Sequence, residues 1–161
     1  MARKTPGNGN GPVGARIVAM GNPDRGDDGA ALAVAARFRD REGIRVILAG
    51  RPGPDLLDLL PTRERCLLLD VTWSRSPPGT IHRIPLAHLD PHSLPDARLS
   101  SHGFGPGEVL ALARALERPL PPGLFLGIEG RSYDVGQELS PEVQKALPRL
   151  EREVRRFLAG S

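Results

Sequence analysis

Several residue types are scarce in this 161-residue sequence, and each scarcity removes a class of protein. One cysteine, Cys66, excludes an internal disulfide and any cysteine-cluster metal site. It lies in the run Cys66-Leu67-Leu68-Leu69, where a thiol reads as a small buried hydrophobe. Aromatic residues are few: four Phe, one Trp and one Tyr. A nucleic-acid binder needs a basic stripe with interleaved aromatics. Here the bases are nearly all arginines scattered among acids, and the net charge is only +3. No nucleic-acid partner is expected. No apolar run approaches the roughly 20 residues that span a bilayer, so no membrane partner is expected either. The basic start, "MARKTPGNGNGPVGAR", has no apolar core of the kind a secretory signal carries. A cytoplasmic protein is the expectation, with residues 1–15 a disordered tail and residues 16–158 one domain, working as a monomer.

Catalytic signatures are missing too. There is no G-x-S-x-G elbow, and Cys66 sits in a strand pattern. The glycine-rich stretch "GNPDRGDDG" places acids where a phosphate would need bare amides, so it does not read as a nucleotide loop.

What is present is an alternation of apolar runs with helical patterns, the signature of an α/β domain. Strands are predicted over 16–20, 44–49, 66–71, 80–86 and 124–128, and helices over 29–41, 55–60, 106–117 and 141–158. The expected fold is a single three-layer domain with a largely parallel five-stranded sheet and helices on both faces. The run 66–71 is almost wholly apolar, as a central parallel strand should be. Pro85 argues that the strand at 80–86 lies at an edge, where it could run antiparallel.

Ligands in such sheets bind beyond the carboxyl ends of the strands. Three polar positions fall there on this topology: Asp27 and Asp28 in "MGNPDRGDDGA", Asp70 closing "LLLDV", and His102 in "SSHGFG". Two carboxylates and an imidazole form an O,O,N set suited to Zn²⁺, Ni²⁺ or Mn²⁺. Each residue also has a plainer reading. One of Asp27 and Asp28 can be a helix N-cap. Asp70 can be satisfied by an arginine or by backbone amides. His102, taken alone, reads as a polar loop residue. His82 alternates outward on its strand, while His88 and His92 sit in a proline-rich loop. A small-molecule hydrolase is a further reading, but no nucleophile is evident for it.

Four blocks in order, "RIVAMGNPDRGDDGAALAVAARF", "LLLDVTWSRSPPGTIHRI", "SSHGFGPGEVLALARAL" and "GIEGRSYDVGQELSPEVQKAL", resemble the maturation endopeptidases of [NiFe] hydrogenases. The resemblance implies a hydrolase that removes the C-terminal extension of the hydrogenase large-subunit precursor once nickel has been inserted. It implies metal contact and catalysis through Asp28, Asp70 and His102, with Asp27 left to cap the helix. The nickel is implied to come with the substrate, another divalent ion being able to stand in its place, and the three ligands to leave open positions on it. Metal affinity and cleavage should both fall as His102 protonates. All three residues are expected outside the core, so that their substitution spares the fold. A non-catalytic escort that checks for nickel is the alternative on the same ligands. Two stretches depart from the family pattern. Leu48 and Arg51 stand where relatives often carry an acid and Gly-Thr, and Val71-Thr72-Trp73 follows Asp70 where many have alanine. These departures point to a different hydrogenase partner.

Overall fold

Three apolar runs make the centre of the sheet in the computed structural model, which describes residues 14–94 and 104–160. Strand β1 (Ala15–Met20), β3 (Arg65–Thr72) and β5 (Gly123–Glu129) are buried on both faces, as parallel strands covered by helices must be. β2 (Ile44–Gly50) flanks them on one side and β4 (Ile81–Pro85) on the other, in the order β2-β1-β3-β5-β4. All neighbours are parallel except β4, which runs antiparallel to β5. Pro85 ends that edge strand, where its missing amide costs no ladder bond. The expected fold class holds, and β1 begins one residue before the predicted boundary. The predicted tail, apart from its last two residues, lies outside the described residues.

Alternation along each strand sends successive side chains to opposite layers. Ile17, Ala19, Leu67, Leu69, Leu126 and Ile128 pack with helices α1 (Ala30–Ala36) and α4 (Pro141–Leu158). Val18, Met20, Cys66, Leu68 and Phe125 face the other layer, which includes Leu56 of α2 (Leu56–Leu59) and Leu110 of α3 (Pro106–Ala115). α4 buries Val143, Ala146, Leu147, Leu150, Val154 and Phe157, a stripe at helical spacing. Cys66 is fully buried, and burial pushes its thiol up to about 12, so it is inert as a nucleophile.

α1 is shorter than the predicted 29–41. Past Ala36 the chain continues in turns bonded three residues back, Arg37 to Val34 and Phe38 to Ala35. That tighter winding leaves Phe38 completely buried. Among the described residues no helix is long and apolar enough to cross a membrane.

From β1 the chain passes to β2 on one side, and then returns across to β3 on the other. The order reverses between β1 and β3, which opens a crevice at their carboxyl ends.

Candidate active site

The described residues bury four polar or charged side chains, Asp27, Asp28, Thr72 and Glu129. All four lie at the carboxyl ends of β1, β3 and β5. Burial of polar groups costs free energy unless they are partnered, so their concentration at one sheet edge marks where the fold departs from a plain core.

The turn after β1 is set by Gly21, at φ +135°, a conformation that L side chains rarely adopt. A Cβ there would collide with the backbone carbonyl of Asp28. The turn closes on itself through Asn22, whose Oδ1 accepts the Asp24 amide at 2.9 Å. The Asn22 amide donates to Asp28 Oδ2 at 3.0 Å. The same oxygen accepts the guanidinium of Arg51, which reaches across from the loop after β2. Asp28 is 3% exposed, so it belongs to the buried edge and not to the surface position expected for it.

Asp70 lies opposite, near the end of β3. Its Oδ1 accepts the next amide, Val71, at 2.8 Å, and no described group donates to its Oδ2. Burial pushes its carboxyl up to about 7, and the charge of Asp28 adds to the rise. The Val71 amide and the more distant Arg51 oppose it. A carboxyl whose ionisation is opposed by burial and by a neighbouring carboxylate is a site that a cation would relieve.

These residues line a cleft of about 910 Å³, within the size range of ordinary ligand sites. The chain's one Trp and one Tyr meet on its wall. Trp73 stacks on Tyr133 with ring centroids 4.7 Å apart, and half of Trp73 remains exposed. Tyr133 is anchored by its hydroxyl, which donates to the Thr72 carbonyl at 2.8 Å, and Arg25 Nε holds its carbonyl at 3.2 Å.

Two further sequence expectations need correction. Asp27 does not cap the helix that follows it; neither the 3-10 turn Gly26–Gly29 nor α1 has a side-chain cap. Its carboxylate instead accepts the amides of Arg131, Ser132 and Ser140 at 2.8, 3.0 and 2.7 Å, and the Ser140 hydroxyl at 2.8 Å. The reason is topological: β5 ends beside this turn, and its following loop brings bare amides that only a buried acceptor can satisfy. His82 does not point outward. Its Nε2 lies 3.3 Å from Glu129 Oε2, in a cluster completed by the Thr72 and Ser74 hydroxyls at 2.8 and 3.0 Å.

Of the three predicted ligands, Asp28 and Asp70 come to the same cleft, and His102 lies outside the described residues. Among the described residues there is no group of three or more metal-ligating side chains. Arg51, which the sequence marks only as a departure, proves to be the ion-pair partner of Asp28. The Trp73–Tyr133 stack left no sequence signal beyond the rarity of both residues.

Residues 30–156 match the HycI family of hydrogenase maturation proteases. The chain belongs to that family. Solved structures agree on the fold. The hydrogenase maturating endopeptidase HybD from E. coli is similar at a TM-score of 0.74, with 17% identity over 91% of this chain and 92% of that one. The [NiFe] hydrogenase maturation protease HybD from Thermococcus kodakarensis gives 0.66, with 23% identity over 89% and 97%. HycI from Thermococcus kodakarensis KOD1 gives 0.64, with 18% identity over 93% and 95%. No curated protein matches the sequence. The family is one of proteases, which are hydrolases. The family match begins two residues after Asp28, so the acid-rich turn stands on its own geometry.

Proposed function

We propose that this protease removes the C-terminal extension of a nickel-loaded [NiFe] hydrogenase large-subunit precursor, acting as a cytoplasmic monomer. Nickel is part of the substrate in this reading, and Asp28, Asp70 and His102 supply carboxylate and imidazole donors to it; another divalent ion can stand in its place. The observation that carries the reading is the Asp28–Asp70 pair at the β1/β3 crevice. The donor chemistry fits a cation: both groups are carboxylates, Asp70 Oδ2 has no donor among the described residues, and the charge of Asp28 raises the cost of ionising Asp70.

The scissile carbonyl is polarised beside the metal, and water attacks it. A group with a pKa near the working pH is the most effective proton acceptor and donor. A carboxylate of the cleft takes the proton of the attacking water. The stacked Trp73 and Tyr133 give the extended peptide an apolar wall beside the two acids.

The test is incubation of purified protein with nickel-loaded and nickel-free precursor, with the products weighed by mass spectrometry. The expected result is shortening of the nickel-loaded form only, lost in Asp28→Asn, Asp70→Asn and His102→Ala. Stable binding of the loaded precursor without any shortening would make the chain an escort. Efficient cleavage of the nickel-free form would overturn the role given to the metal.

A further inference from the structure

A guanidinium sits on the carboxylate that the proposed reaction needs for a metal. Arg51 lies in the turn between β2 and α2, straight after Gly50, whose φ of +63° turns the chain back over the crevice. Its terminal nitrogen pairs with Asp28 Oδ2, the oxygen that also accepts the Asn22 amide. The pair is unevenly buried: the Asp28 side chain is 5% exposed and that of Arg51 36%. Asp28 is therefore fixed, and Arg51 is held at one end only, with open cleft beside it. Pro52 and Pro54 stiffen the loop on one side, so the side chain can leave without unravelling the backbone.

We infer that Arg51 is a specificity-determining residue: its guanidinium serves as a built-in counter-ion for Asp28 that a metal must displace, so that free divalent ions are refused and metal presented by a docked substrate is accepted. The inference rests on the reading of Asp28 as a metal-contacting residue. An unpaired carboxylate at a nearly closed edge beside a second acid would collect free ions from solution. With Arg51 in place, every incoming ion must break a charge-assisted, partly buried hydrogen bond. Bonds of that kind lower the apparent affinity for a competitor by about 10- to 100-fold. A free ion at trace concentration does not overcome that penalty. A metal fixed in a docked partner meets Asp28 at an effective concentration on the order of millimolar, which does. The arrangement makes the acid pair answer to the substrate's metal and ignore the solvent's.

The experiment is a calorimetric titration of the free protein with nickel chloride, without precursor, on wild type, Arg51→Gln, Arg51→Lys, Asp28→Asn and the double variant Arg51→Gln/Asp28→Asn. Arg51→Gln should bind nickel about 10- to 100-fold more tightly than wild type. Arg51→Lys, which keeps the charge and loses the planar fork, should fall between the two. In the Asp28→Asn background the Arg51 substitution should change affinity by less than about threefold, because the pair no longer exists. An Arg51→Gln affinity within about threefold of wild type would overturn the inference. So would an equal gain in the Asp28→Asn background, which would reduce the effect to the loss of a nearby positive charge. Arg51 is partly exposed on a loop, so folding should survive, and Arg51→Lys carries the test should Arg51→Gln not fold. If wild type leaves loaded precursor uncut while Arg51→Gln still gains affinity, proteolysis is the reading that falls and the counter-ion role stands.

Discussion

Replacing Asp70 by asparagine should make the free protein more stable at alkaline pH while abolishing processing. The carboxyl stands at about 7 in the folded protein against the ordinary 3.8 of an aspartate in water. The raised value means that the folded state favours the protonated form. Asp70 therefore costs no stability below about pH 4; the cost grows as pH rises towards 7 and is constant above it. A three-unit shift sets a ceiling of about 4 kcal/mol. Asp70 is only partly buried and opens to the cleft, so screening by water reduces this to about 1–3 kcal/mol. Asparagine keeps an oxygen for the Val71 amide and carries no charge to desolvate. Urea unfolding of both proteins should give nearly coincident curves at pH 4 and a higher midpoint for Asp70→Asn at pH 8. The same gain raises the melting temperature by roughly 3–10 °C for a chain of this length. A variant equal to or less stable than wild type at pH 8 would refute the reasoning, as would a gain of the same size at pH 4. The first result would mean that Asp70 is well solvated, the second that packing, not charge, is responsible.

Asp27→Ala should destabilise the fold by about 3–5 kcal/mol, because three amides and one hydroxyl lose a buried acceptor; denaturant midpoints at neutral pH check this. Gly21→Ala should cost about 2–4 kcal/mol, since a side chain is strained at its φ of +135° and its Cβ runs into the Asp28 carbonyl. The fraction of Gly21→Ala that still folds should fail to process precursor, its Asp28 having been displaced, and a cleavage assay on the soluble protein reads this directly.

Much of the architecture was legible from patterning. Apolar runs at 16–20, 66–71 and 124–128 could only be strands buried on two faces, and Pro85 could only sit at an edge. Those features follow from local physics: a period of two, a period of 3.6, and a ring that cannot donate. The meeting of Asp28 and Asp70 in one cleft was legible as well, because both fall beyond or near the carboxyl ends of strands that the apolar pattern places side by side. The partners were not legible. Asp27 looked like a cap for its own helix, yet it is satisfied by Arg131, Ser132 and Ser140, more than 100 residues further along. Arg51 looked like a loop substitution, and only the adjacency of β1 and β2 turns it onto Asp28. His82 and Glu129 are 47 positions apart and meet because β4 pairs antiparallel with β5. In each case a side chain's need for a partner is local, and sequence reveals it. The choice among possible partners depends on which strand ends stand side by side, and that is decided by strand order and register, which the folded sheet alone sets.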